Sequence, residues 1–247
     1  NDIRDEIRAL ENTNEDVKNS AVALFDAAET WGVFSEEKGT QIVDLVAPGQ
    51  STIIDLSMYS SIGVFNVRAL IISIVSKKLF NERMMERKLE EIQSIQHGLD
   101  SYFKPKRDMP LVWIFIDEAH EFLPKDGSTP ASAALIQLLR EGRQPGISMV
   151  MATQQPGKIH TDAMTQSDIV ISHMVTSKYD VEALNEIMQT YLFEGIKAKL
   201  DQLPKLNGSG IILDDTSERI YPMRIRPRFT WHGGSAPSAI RPVEKEF

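Results

Sequence analysis

The stretch WIFIDEAHEF, positions 113–122, runs an apolar strand into Asp117, Glu118 and Glu121. Ligands of open α/β sheets collect at the carboxyl ends of the strands, so acids in this place stand where a site would be. In nucleotide hydrolysis the aspartate ending such a strand helps hold Mg²⁺, and a neighbouring glutamate can polarise the attacking water as a general base. Asp117 and Glu118 fit these two roles. The competing explanation is that both only favour the positive end of a following helix, which contributes about 0.3–1 kcal/mol each.

Two further segments supply what such chemistry needs. In LLREGRQPGI, positions 138–147, Arg140 and Arg143 lie on the way into the next strand. An arginine keeps its charge and spans phosphate oxygens with a rigid fork, so it suits a γ-phosphate, usually reached from a neighbouring subunit. A solvated helix end is the alternative, and it weighs most for Arg140. The strand ISMVMA then ends in Thr153-Gln154-Gln155-Pro156, where a side-chain amide at the strand tip can hydrogen-bond a γ-phosphate or the attacking water. His120 sits beside the acids and could touch the chemistry, although a histidine on a first helical turn is more often packed or solvated.

The elements that must position these residues read as alternating strand and helix, which is an α/β pattern. Positions 14–31 carry Val17, Ala21, Leu24, Phe25 and Ala28 at three- and four-residue steps and predict an amphipathic helix ended by Gly32. Positions 41–46 and 51–56 are short β-prone runs, the second (STIIDL) the better strand candidate. A long helix is predicted over 62–96, its charged later half facing water. Residues 111–116 and 147–152 read as strands covered on both faces, with Met149 and Met151 in the core. Ser128-Thr129-Pro130 offers a cap and a first-turn proline for a helix through Arg140. Positions 168–175 predict another strand, 179–191 a helix, and 209–213 with 219–225 late strands, an antiparallel pair being one arrangement. The Gly/Pro/Ser-rich tail from Gly233 predicts an extended or disordered arm.

Composition bounds the rest. The 247 residues are 42% hydrophobic and 25% charged, suited to one globular domain with an appendage, and carry a net charge of −8. Such a balance argues against a uniformly basic surface but leaves room for a locally basic groove or pore. Cysteine is absent, which removes disulfides, thiolate zinc sites and cysteine nucleophiles. No apolar run approaches the roughly 20 residues that span a bilayer, and no signal peptide opens the chain, so a cytoplasmic protein without membrane contact is expected. The basic run KKLFNERMMERK, positions 77–88, reads as a solvated helix face, with DNA contact as the alternative. Arg224, Arg226 and Arg228 fall on one side of an extended segment, and their mutual repulsion suggests an acidic or phosphate partner.

FIDEAHEF, LLREGRQPGISMVMATQQPGKI and SDIVISHMVTSKYDVEAL, taken together, resemble the HerA/FtsK family of ring-forming DNA motors, HerA-type ATPases in particular. The resemblance is clearest over 111–184 and extends over 51–231. It implies an α/β fold with a RecA-like P-loop ATPase core and a mainly parallel sheet. IFIDEAH is then the Walker B element, with Asp117 on Mg²⁺ and Glu118 activating water. Arg143 inherits the arginine finger, with Arg140 a second candidate; Gln154 becomes the sensor, with Thr153 beside it at the nucleotide. Gln155 stands where the family carries arginine. The resemblance further implies ATP as substrate, a homo-hexamer around double-stranded DNA, a subunit interface at the C-terminal arginines, and work on double-strand break ends beside a NurA-type nuclease. DNA-contacting loops are expected near Gly157-Lys158.

Nowhere does the chain contain G-x-x-x-x-G-K-[ST], the loop whose amides and lysine hold phosphates. The core is therefore expected to be incomplete, its Walker A strand and loop lying before Asn1 or on another chain, and this piece alone to be inactive. The expected organisation is a helical segment over 1–48, an ATPase core over 49–204, and late strands with an interface arm over 205–247. Two other readings stand beside the translocase: a non-translocating ring scaffold or defence-complex ATPase, and a fragment of a DEAH-box helicase. The second leaves fewer than a hundred residues after Thr153 for a second motor domain.

Overall fold

The computed structural model describes residues 3–35, 38–59, 66–97, 108–173, 175, 177–188, 202–217 and 219–230. The chain divides into two compact units, residues 1–167 and 168–247. The strand that opens the second unit takes its hydrogen bonds from a late strand of the same unit.

In the first unit, α1 (Ile3–Ala9) is tied to α2 (Glu15–Glu29) by Arg4, which reaches Asp26 at 3.0 Å and Glu29 at 2.8 Å. Asn14 caps α2 by accepting from the Asp16 N–H, and Gly32 leaves the helix with φ of 65°, as its sequence predicts. The helix does not bury the face its periodicity marks: Lys18 and Val22 are buried, while Val17, Leu24 and Phe25 are exposed. The first β-prone run is also overturned. Residues Ile42–Leu45 form a single helical turn, α3, because Asp44 and Gln41 complete a reciprocal capping box that an extended strand could not make. Positions 51–56 form no strand; Ile53 is exposed, and no neighbouring strand pairs with it among the described residues.

α4 (Val67–His97) is the predicted long helix; positions 60–65 lie outside the described residues. Ala69, Ser73, Ser76, Phe80 and Arg83 recur at three- and four-residue steps and are all buried. The expectation that the later half faces water fails at two residues. Arg83 is 0% exposed and Glu90 is buried beside it, whereas Lys77, Lys78 and Lys88 are exposed. Arg83 donates from Nε to the Pro145 carbonyl at 2.9 Å and from Nη1 to the Met109 carbonyl at 2.8 Å. Its Nη2 lies 3.5 Å from Glu90 Oε1, and Arg87 Nη1 lies 3.2 Å from Glu90 Oε2. A periodicity argument sees only charge at these positions; the fold uses the charge to satisfy carbonyls that α4 covers.

β1 (Val112–Ile116) and β2 (Ile147–Met151) pair in parallel, with Val112 opposite Ile147 and Ile116 opposite Met151. Between them run a 3₁₀ turn (Ala119–Glu121) and α5 (Ser132–Glu141). α5 starts later than the cap and first-turn proline predict: its N-cap is Ala131, without a side-chain cap, and Pro130 precedes it, while Thr129 Oγ1 accepts from the Ala131 N–H at 3.2 Å and donates to the Phe122 carbonyl at 2.7 Å. Leu135 and Leu138 of α5 pack with Leu79 and Phe80 of α4, with Ile116 and Ile147, and with partly buried Met149 and Met151. This mixed α/β unit with its parallel pair agrees with the expected RecA-like core.

Among the described residues only one face of the pair is covered. Trp113 is 63% and Phe115 72% exposed, their rings stacked at 6.4 Å between centroids, while Ile116 is 8% exposed. The unbroken apolar run predicts cover on both faces; among the described residues the Trp113–Phe115 face has none. Ile116→Ala is accordingly expected to cost about 2–5 kcal/mol and Phe115→Ala less than about 1 kcal/mol in urea unfolding. Equal costs would show that the aromatic face is covered.

After β2 come a second 3₁₀ turn (Pro156–Lys158) and α6 (Thr161–Thr165), capped by His160 Nδ1, which accepts from the Asp162 N–H at 3.1 Å. In the second unit, β3 (Ile169–His173) pairs antiparallel with β4 (Ser209–Asp214), which pairs antiparallel with β5 (Arg219–Arg224). The late antiparallel pair is thus present, and β3 joins it instead of continuing a parallel sheet. Pro222, which cannot donate to a ladder, sits on β5 at the end of this strand order. α7 (Lys178–Met188) matches the predicted helix to the limit of description; 189–200 and the tail from 231 lie outside it. Among the described residues no helix is long and apolar enough to cross a membrane.

Candidate active site

The parallel pairing carries on past the strand ends. Ala152 N–H donates to the Ile116 carbonyl and Ala119 N–H to the Ala152 carbonyl, both at 2.9 Å, so that residues 117–120 lie against 153–155. Where these two tips meet, Glu118 adopts φ 47° and ψ 46°, the only positive φ outside glycine among the described residues. A side chain with Cβ pays about 1 kcal/mol or more in this region, and such residues cluster at functional sites. Asp117 Oδ1 accepts from the Glu118 N–H at 2.9 Å, which helps hold the turn.

Four residues singled out in the sequence converge here. Gln154 Nε2 donates to Glu118 Oε1, so the candidate sensor and the candidate base are paired side chain to side chain. Thr153 Oγ1 lies 2.9 Å from His120 Nδ1 and accepts from the Gln155 N–H at 3.0 Å. Asp117 is exposed beside them. Two residues given less weight by sequence reasoning belong to the same cluster. His120 Nδ1 is 3.4 Å from Glu118 Oε2, an ion-pair separation without hydrogen-bond geometry, and Gln155 Nε2 is 3.3 Å from His120 Nε2. Glu121, the third acid of the opening stretch, faces elsewhere: it pairs with Arg68 of α4 at 2.9 Å, and Arg68 stands 5.9 Å from the centre of the Phe122 ring.

The arginines are not part of this cluster. Arg140 is taken by Asp162, with Nε at 2.9 Å and Nη2 at 2.6 Å from the same carboxylate oxygen. Arg143 is exposed and its side chain has no hydrogen-bond or ion-pair partner among the described residues. The loop that carries it is nonetheless firmly built. A Cβ on Gly142 would fall 2.4 Å from the Leu138 carbonyl oxygen, Gly146 holds φ of 77°, and buried Arg83 grips the Pro145 carbonyl from beneath. Sequence reasoning missed Arg83, since nothing in a charged helical run marks which arginine turns inward. The Gly157-Lys158 loop is pinned to residues 123–125 through Lys125 N–H on the Lys158 carbonyl at 2.8 Å and His160 N–H on the Leu123 carbonyl at 2.7 Å.

Among the described residues no three His, Asp or Glu side chains converge to hold a metal unaided. Magnesium in phosphoryl transfer is bound by one or two carboxylates together with substrate phosphates and water, and one exposed carboxylate, Asp117, fits that donor set.

No family model matches the chain. The DNA double-strand break repair helicase HerA of Pyrococcus furiosus is 26% identical to it over 149 residues, 56% of this chain and 26% of that protein. Over that stretch the chain is similar to HerA. A probable DNA double-strand break repair helicase HerA of Methanocaldococcus jannaschii is 33% identical over 60 residues, 24% of this chain and 12% of that protein. The chain thus spans about a quarter or less of the length of these relatives. Among solved structures, the genome packaging NTPase B204 of Sulfolobus turreted icosahedral virus 2 in complex with AMP aligns with a TM-score of 0.37 and 19% identity. That alignment covers 46% of this chain and 52% of the viral one, too little for the viral structure to add to the argument. In this chain, the acids after β1 and the amides after β2 meet at one point, while the arginines make no contact with them among the described residues.

Proposed function

We propose that this chain is the Walker B, arginine-finger and sensor part of a HerA-type, ATP-driven DNA translocase. The observation that carries the reading is the pairing of Glu118 with Gln154 at adjoining parallel strand tips, with Glu118 in a left-handed turn beside exposed Asp117. A carboxylate fixed at that point can take a proton from water as it attacks a γ-phosphate, and the Gln154 amide can pass from the carboxylate to the phosphate or the water. Magnesium held through Asp117 and the phosphates would supply positive charge against that developing on the phosphoryl oxygens. Thr153 stands beside the nucleotide.

Arg143, exposed and without a partner among the described residues, is available to a neighbouring subunit's nucleotide; Arg140, held by Asp162, is the weaker candidate. The assembly is a homo-hexameric ring in the cytoplasm, passing double-stranded DNA at break ends beside a NurA-type nuclease. The 247-residue chain alone binds ATP poorly and is inactive, since it holds no Gly-rich phosphate loop.

The test is ATP turnover of the full-length protein with and without duplex DNA. Stimulation by DNA supports a translocase, and its absence with intact nucleotide binding favours a ring scaffold. Sharing of the site is checked by mixing: Arg143→Ala subunits, inactive alone, are expected to regain part of their turnover when combined with Glu118→Gln subunits whose Arg143 is intact. No recovery at any ratio would rule out an arginine supplied in trans.

A further inference from the structure

The mechanism above leaves two members of the cluster without a task. His120 is nearly buried between the two strand tips, and Gln155 reaches it from the far side. A neutral imidazole has one N–H and one lone pair, so its neighbours decide which nitrogen carries the proton. His120 Nε2 faces the Gln155 side-chain nitrogen at 3.3 Å. That amide nitrogen only donates; a proton on Nε2 would set N–H against N–H. The imidazole proton therefore belongs on Nδ1.

Nδ1 faces two oxygens, Thr153 Oγ1 at 2.9 Å and Glu118 Oε2 at 3.4 Å. Thr153 Oγ1 accepts from the Gln155 backbone N–H and is also the hydrogen-bond partner of Nδ1, which its second lone pair allows. Glu118 Oε2 is buried and has no hydrogen bond, while Oε1 is taken by Gln154. A buried carboxylate oxygen without a donor is costly, and the Nδ1–H edge, 3.4 Å away but outside hydrogen-bond geometry, is an N–H that would meet it on a small rotation of the Glu118 side chain. Gln154 on one oxygen and the imidazole edge beside the other then bracket the carboxylate from both sides. Oε1 keeps a second lone pair for a proton from water.

We propose that His120 is a positioning residue for Glu118, and that Gln155 fixes it in the Nδ1-protonated tautomer. The proposal rests on Glu118 acting as the general base. It gives a task to Gln155, which stands where the resembled family carries arginine: the side chain orients the histidine at this site. Turning the Gln155 amide over would present its oxygen to Nε2 and reverse the tautomer, so the tautomer is the quantity to measure.

In the intact protein, labelled with ¹⁵N-histidine, solid-state NMR is expected to show His120 protonated on Nδ1, its signals assigned by their loss in His120→Asn. Gln155→Leu should move the proton toward Nε2. In steady-state ATP turnover, His120→Leu should lower kcat by about 10- to 100-fold with little change in KM, the scale set by misplacing a reacting group. His120→Asn places an amide nitrogen where Nδ1 stands and should restore most of the rate; His120→Gln, whose nitrogen reaches the Nε2 position, should not. Protonation on Nε2 in the native protein, a wild-type kcat in His120→Leu, or equal rates for the Asn and Gln variants would overturn the proposal. If Glu118→Gln itself turns over normally, the general-base reading falls; if it is inactive while His120→Leu is not, only the positioning role falls.

Discussion

Glu118→Gln in the intact protein is expected to cut ATP turnover by at least about a hundredfold while leaving nucleotide binding and ring assembly in place. The substitution changes one atom and removes the basicity that takes a proton from water. It does not remove the geometry. Glutamine tolerates the left-handed backbone about as well as glutamate, and its amide oxygen can still accept from Gln154 Nε2, so the contact between the two strand tips persists. A stability change is therefore not expected to accompany the lost rate. Single-turnover hydrolysis beside a nucleotide-binding titration separates the two, and near-normal hydrolysis would reject Glu118 as the base.

Arg83→Met is expected to destabilise the protein by about 3–5 kcal/mol, a change large enough to dominate a urea unfolding curve. The replacement has similar length and no charge, so packing along α4 is largely kept and the loss is one of pairing. The Pro145 and Met109 carbonyls lose donors at 2.9 and 2.8 Å, shorter than the 3.5 Å approach to Glu90, so the carbonyls carry more of the cost than the ion pair. Glu90, still near Arg87, would remain buried with less positive charge around it. Adding Glu90→Met should then cost less in the Arg83→Met background than in the native protein. Strict additivity would mean that the two side chains do not depend on one another. Because Pro145 lies two residues beyond Arg143, the same substitution should also loosen the loop that presents the candidate finger.

The candidate site divides by how its parts are encoded. Asp117, Glu118, Thr153 and Gln154 were legible because a parallel strand pair brings its carboxyl ends together, and each strand was marked by an apolar run followed at once by polar residues. His120 and Gln155 were visible as residues but not as a network, since their relation depends on distances across 35 positions of chain. The paired state of Arg140 was hidden for the same reason: its partner Asp162 belongs to a different element. Arg83 was hidden more deeply, because its environment is made of backbone carbonyls, which any sequence supplies.

Local sequence determined where α2, α4, α5, β1, β2 and the late strands lie, since caps, glycines and apolar periodicity act within a few residues. It also placed the acids and amides at strand ends. Tertiary structure alone decided that β3 joins an antiparallel group, that one face of β1 has no cover among the described residues, and that an arginine in a charged run is the largest of their fully buried side chains. The physical reason is that burial and pairing are properties of two surfaces meeting, and one stretch of chain specifies only one of them.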